Sequence, residues 1–94
     1  MEEKIQLEHP LGKNAIRIDK SKYYILKLTI LKALEHKALT YKELYQKVEE
    51  DFNKNNVNFE GNVEWYMESV KLDLEAKKLI KRKKEKSKLY FEIT

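Results

Sequence analysis

No cysteine occurs in this chain, so it holds no disulfide, no thiolate metal site and no thiol nucleophile. There is one proline, Pro10, and only two glycines, Gly12 and Gly61. So few breakers leave long stretches free to run as helix. They also leave Gly12-Lys13 without the glycine-rich run of a phosphate-binding loop. No apolar run approaches the ~20 residues that a membrane span needs. The opening MEEKIQLEHP lacks the apolar stretch of a signal peptide, and the expectation is a cytoplasmic protein. His9 and His36 have no second ligand at metal-like spacing, so neither a metal nor a cofactor is expected. No serine lies in a workable arrangement with a histidine and an acid, and the chain is not expected to be an enzyme.

What the chain does have is charge, unevenly placed. Charged residues make up 38% and hydrophobic residues 41% of 94 positions, which suits one globular domain with a single core. The formal net charge of +4 conceals a division along the chain. Residues 1–20 are neutral, 21–39 carry +3, 40–76 carry −5 and 77–94 carry +6. An acidic middle followed by a basic tail bears on function more than the total does.

Residues 4–8 (KIQLE) alternate like a short strand, and His9-Pro10-Leu11-Gly12 is a turn signal. Residues 15–18 (AIRI) read as a second extended piece with Ile16 and Ile18 on one face. Residues 1–19 are therefore an arm laid over a domain that spans 20–94. A first helix is expected from Asp19 or Ser21 to His36-Lys37. Its apolar residues cover more than half the circumference, so it is covered on more than one side. Thr40 and Glu43 form a capping box for a second helix, and Tyr41, Leu44, Val48 and Phe52 make its core stripe. The third helix is expected from about Gly61 to Lys78, with Val63, Met67, Val70 and Leu74 inward. Leu79 and Ile80 then enter a β-hairpin whose return strand carries Leu89, Phe91 and Ile93 on one face. The turn between them has no Gly or Asn, which argues against a tight two-residue loop.

Residues 74–82, LEAKKLIKR, resemble the LEEKGLI-R junction between recognition helix and wing in many bacterial winged-helix regulators, with Lys78 where glycine is usual. Trp65-Tyr66, VKLDLEA and LI-R, together with HPLGK and RIDKSKY upstream, resemble a family of small bacterial winged-helix proteins with no assigned function. The resemblance implies an α+β winged helix-turn-helix: three helices, a C-terminal β-hairpin wing and an N-terminal arm able to add a strand. It implies no chemistry, because fold alone does not carry function.

Lys81, Arg82, Lys83, Lys84, Lys86 and Lys88 place six cations in eight residues on that wing. One reading is a ribbon lying along a duplex phosphate backbone, with transcription regulation as the role. The other is a solvated hairpin whose lysines keep an exposed edge from pairing. Lys22, Lys27 and Lys32 on the first helix would add to the first. The third helix resists the obvious reading, because its outer face shows Asn62, Trp65, Ser69, Leu72 and Ala76 beside Glu64, Glu68 and Glu75. Only Asn62 and Ser69 suit base edges. Trp65 and Leu72 read instead as a protein-binding patch, or as the surface that the arm covers. Tyr23 and Tyr24 on the broad apolar first helix mark either a homodimer interface or ordinary burial.

Overall fold

The capping box that opens the second helix forms as the sequence requires. Thr40 Oγ1 accepts the Glu43 amide at 3.2 Å while the Glu43 carboxylate accepts the Thr40 amide at 2.9 Å. A computed structural model describes residues 3–13 and 15–94, so the arm expected over 1–19 includes three residues outside the described ones. The chain runs β1 (Lys4–Gln6), β2 (Arg17–Asp19), α1 (Lys20–Ala33), β3 (Leu39–Thr40), α2 (Tyr41–Lys54), α3 (Val63–Ala76), β4 (Ile80–Glu85) and β5 (Lys88–Ile93). It is an α+β arrangement of three helices with two small antiparallel sheets.

One core joins all of these elements. Tyr23, Leu26, Ile30 and Leu34 from α1 and its C-cap meet Leu44, Val48 and Phe52 from α2 and Met67, Val70 and Leu74 from α3. Leu39, Ile80 and Phe91 close it from the sheet, and Leu7 and Ile18 from the arm. Each fully buried side chain of this size contributes ~1.5–3 kcal/mol relative to exposure. The arm is thus continuous with the core. Its two strands pair with each other, Ile5 opposite Ile18, and add nothing to the C-terminal sheet. The strand that does join that sheet is β3, giving the order β3-β5-β4. A two-residue strand is too short for alternation to reveal, and by sequence alone Leu39 falls in the connection between two helices. Helix α1 accordingly stops three residues short of His36, where the chain turns to bring Leu39 opposite Phe91. Asp19 stands at its N-cap without a side-chain capping bond.

Two helices end in the same way. After α2, Val57 N–H donates to Phe52 O and Asn56 N–H to Asn53 O, with Asn56 at φ 54°. After α3, Leu79 N–H donates to Leu74 O and Lys78 N–H to Glu75 O, with Lys78 at φ 61°. This paired pattern is the Schellman cap, which needs a left-handed residue just past the helix. Asparagine tolerates that conformation; lysine adopts it at a cost of ~1–2 kcal/mol. The helix-to-hairpin junction is therefore tight even though lysine replaces glycine there. Lys78→Gly is expected to stabilise the protein by about 0.5–1 kcal/mol, the relief of strain exceeding the added chain entropy. Chemical denaturation of the variant beside the parent reads this directly.

The arm is pinned by a buried carboxylate. Asp73, fully enclosed on α3, accepts the Glu8 amide at 2.8 Å on Oδ1. Its Oδ2 accepts the Tyr23 hydroxyl at 2.6 Å and the Lys77 ammonium at 2.9 Å. Lys77 also donates to the Tyr23 hydroxyl at 3.1 Å. Burial raises the Tyr23 pKa, and the hydrogen bond to Asp73 raises it further. Burial opposes the Lys77 charge, yet its bonds to Asp73 and Tyr23 prevail and its pKa is raised. One carboxylate so ties arm, α1 and α3 together.

Candidate nucleic-acid interface

The hairpin turns in two residues. Glu85 pairs with Lys88 across Lys86 and Ser87, both left-handed at φ 50° and 69°. Consecutive left-handed residues match the right-handed twist of the flanking strands. The absence of Gly and Asn had argued against this geometry, and the twist requirement prevails over residue preference.

Pairing register divides the cations between two faces, because directly opposed residues in an antiparallel ladder point to the same side. Arg82 is opposite the buried Phe91, and Lys84 opposite Leu89, on the side that faces α3. Lys81 opposite Glu92, Lys83 opposite Tyr90 and Lys88 opposite Glu85 are on the other side. Lys86 stands at the tip. The six cations therefore do not form one stripe.

Arg82 is committed to the protein itself. Its Nε donates to Glu75 Oε1 at 2.8 Å and its Nη2 to Glu75 Oε2 at 3.2 Å, a bidentate pair. Glu75, whose side chain is only 6% exposed, also lies 3.6 Å from the ammonium of Lys71. Lys71 is itself buried, 3.4 Å from Glu68 and 4.4 Å from the Phe91 ring centroid. Among the described residues Lys83 reaches only Glu85 on its own strand, at 3.5 Å between exposed groups. Lys81, Lys84, Lys86 and Lys88 are exposed and make no ion pair with any described residue.

The lysines expected to help from α1 are engaged elsewhere. Lys22 Nζ lies 3.7 Å from Asp19 and 4.7 Å from the Tyr66 ring centroid. Lys32 pairs with Asp51 at 3.6 Å, and Lys27 stands over the rings of Tyr23 and Tyr24.

On α3, both residues expected to read bases have local duties. Asn62 is the N-cap, its Oδ1 accepting the Trp65 amide at 3.0 Å. Gly61 before it sits at φ 102°, where a Cβ would come 2.8 Å from the Tyr66 ring. Ser69 Oγ donates to Trp65 O at 3.2 Å and, with the half-buried Leu72, lines a hollow under Leu7, Glu8 and Ile16 of the arm. Trp65 is 52% exposed, so the arm covers one member of the expected Trp65–Leu72 patch and leaves the other open. A shallow hollow of about 510 Å³ in front of it is lined by Tyr41, Asn62, Glu64 and Glu68.

The family model for DUF6958 matches residues 4–90, from the first arm strand into the return strand of the hairpin. The chain belongs to this family of unknown function. Comparison with curated proteins gives no match, and neither does comparison with solved structures. The DUF6958 span takes in both carboxylate hubs, Asp73 and Glu75, along with Trp65 and the hairpin cations. Among the described residues, no helix is long and apolar enough to cross a membrane and no group of three metal-ligating side chains forms. His9 uses its Nδ1 to accept the Leu11 amide at 3.1 Å.

Tyr41 reports the anionic character of the α3 hollow. Burial, then the carboxylates of Glu68 and Glu64, push its pKa from 10.0 up to about 12. A phenol with a raised folded-state pKa contributes stability that is complete below pH 10 and is lost as pH climbs toward 12. The expected result is a late-titrating phenol at 295 nm that disappears in Tyr41→Phe, together with a flatter alkaline limb of stability.

Proposed function

We propose that this protein is a small winged helix that binds duplex nucleic acid through phosphate contacts from the hairpin, as a bacterial regulator-like protein of the cytoplasm. The order α1-β3-α2-α3-β4-β5, with β3 beside β5, supports the winged-helix reading. The observation that carries the function is the set Lys81, Lys84, Lys86 and Lys88: exposed cations on a ribbon, with no ion pair among the described residues. Lys83, held loosely by Glu85, is available at little cost, since exposed pairs are worth ~0–1 kcal/mol. Arg82 is withdrawn from the set by Glu75.

Contacts of this type position a protein without reading sequence. The outer face of α3 supports the same conclusion, because it offers Trp65 and carboxylates where base readers would stand. A second reading, a protein-contact face on α3, is favoured by the exposure of Trp65 and no longer includes Leu72.

The test is a titration of a labelled duplex at several salt concentrations. Four or five neutralised phosphates give a slope of log K against log salt of about −4. Lys83→Glu with Lys84→Glu should abolish the complex, and scrambled duplexes should bind as well as any other. Binding that survives the double reversal places the contact elsewhere on the protein.

A further inference from the structure

We infer that the Trp65 hollow receives the hairpin of a second copy of this chain, in a reciprocal dimer. The inference deepens the protein-contact reading of Trp65 and does not depend on nucleic-acid binding. Two surfaces on the same molecule are complementary in both charge and apolar character. The hollow joins the exposed Trp65 indole to Glu64, which has no ion pair among the described residues, and to Glu68. Burial first, and then the Glu68 and Glu64 carboxylates, raise the pKa of the Tyr41 phenol that lines the same hollow. The hairpin presents the matching set on one face: Leu89, 42% exposed, directly opposite Lys84, with Lys86 at the tip.

Within the hollow Glu68 is shared with Lys71 and the Trp65 ring meets Tyr66 edge-on, which leaves Glu64 and the outer half of the indole open among the described residues. Leu89 is outside the buried core, and Lys84 and Lys86 have no ion pair among the described residues. A half-exposed aromatic with anionic neighbours suits a basic ribbon, by cation–π attraction and by charge. The chain supplies such a ribbon itself. If each hairpin enters the other's hollow, the two contacts are identical and the assembly closes as a two-fold dimer without propagating into a filament. Lys84 and Lys86 would then be covered, so dimer and polyanion compete for the same lysines.

Trp65 is the only tryptophan, so its emission reports on this hollow alone. Sedimentation velocity and tryptophan emission are followed together over a protein dilution series at low salt. The expected result is a dimer whose formation shifts Trp65 emission to the blue and shields it from acrylamide. Lys84→Glu and Glu64→Lys should each weaken the dimer about tenfold, and combining them should restore most of the loss. Leu89→Ser should weaken it without changing its salt dependence. A protein that remains monomeric, or a dimer that is indifferent to Lys84→Glu but abolished by Leu28→Glu, at an exposed apolar residue of α1 away from both surfaces, overturns the inference. If the protein stays monomeric while added oligolysine shifts the Trp65 emission, the contact reading of Trp65 stands and the second copy is excluded. No response to either removes both.

Discussion

Asp73→Ala is expected to lower the unfolding free energy by about 3 kcal/mol, because removing one partner of a buried ionic network leaves the others uncompensated. Three donors lose their acceptor at once: the Glu8 amide, the Tyr23 hydroxyl and the Lys77 ammonium. Lys77 is 31% exposed and can recover some hydration, which keeps the estimate at the lower end of the range for buried pairs. For a domain of this size the corresponding fall in Tm is roughly 12–24 °C. Asp73→Asn retains an oxygen for the Glu8 amide and should lose about half as much. Tyr23→Phe removes a single hydrogen bond and should cost only about 1 kcal/mol. Urea denaturation followed by far-UV circular dichroism separates the three. Equal losses for Tyr23→Phe and Asp73→Ala would mean that packing of the ring, not the carboxylate, holds the arm.

Glu75→Gln is expected to act on stability and on binding in opposite directions. Its carboxylate neutralises Lys71 and Arg82 together, and when that charge is gone Glu68 is the one carboxylate left to the buried Lys71 among the described residues. The loss should be about 2–4 kcal/mol, again as the cost of an uncompensated buried cation. Lys71→Met should cost less than about 1 kcal/mol, since the thioether can pack on Phe91 where the ammonium now stands and Glu75 keeps Arg82. The same Glu75→Gln change releases the guanidinium of Arg82 on the hairpin face. One further phosphate contact steepens the salt dependence of duplex binding by about 0.9. Stability by denaturant titration and the salt slope by anisotropy, measured on one preparation below its melting temperature, check both halves. An unchanged slope would show that Arg82 faces away from the phosphates even when free.

Much of the fold is written locally. The Thr40–Glu43 box and the two stripes, Tyr41, Leu44, Val48 and Phe52 and Val63, Met67, Val70 and Leu74, each depend on spacing within one helix. The box forms as read, and each stripe is buried except for its first member, Tyr41 or Val63, which is half-buried. The hairpin is legible too, from Leu89 to Ile93 alternating against a basic partner strand. What escapes is whatever depends on distant residues. Leu39-Thr40 becomes a strand only because Phe91 and Tyr90 lie beside it. Lys78, Lys86 and Ser87 adopt left-handed backbone because the junction and the turn demand it, against their own preference.

The two carboxylate hubs escape for a related reason. An acidic residue on a helix reads as solvated unless something shows its partner. Asp73 finds donors 50 and 65 positions away, and no periodicity announces them. Glu75 carried one visible clue, Lys71 at the i−4 position, but a surface pair and a buried one look alike in a string of letters. The six-cation run is likewise legible as a count and not as a surface. Only the register of β4 against β5 separates Arg82 and Lys84 from Lys81, Lys83 and Lys88.

The attachment of the arm at Glu8 bears on where this domain may be cut. A fragment starting at residue 20 has the helices, the hairpin and every exposed lysine of the wing, and by letter count it looks self-sufficient. It would nonetheless bring water to a carboxylate that the intact chain keeps dry, and bare the apolar wall that Leu7 and Ile18 cover. Leu7 and Ile18 of the arm belong to the same core as the helices, and trimming them removes a lid from its interior.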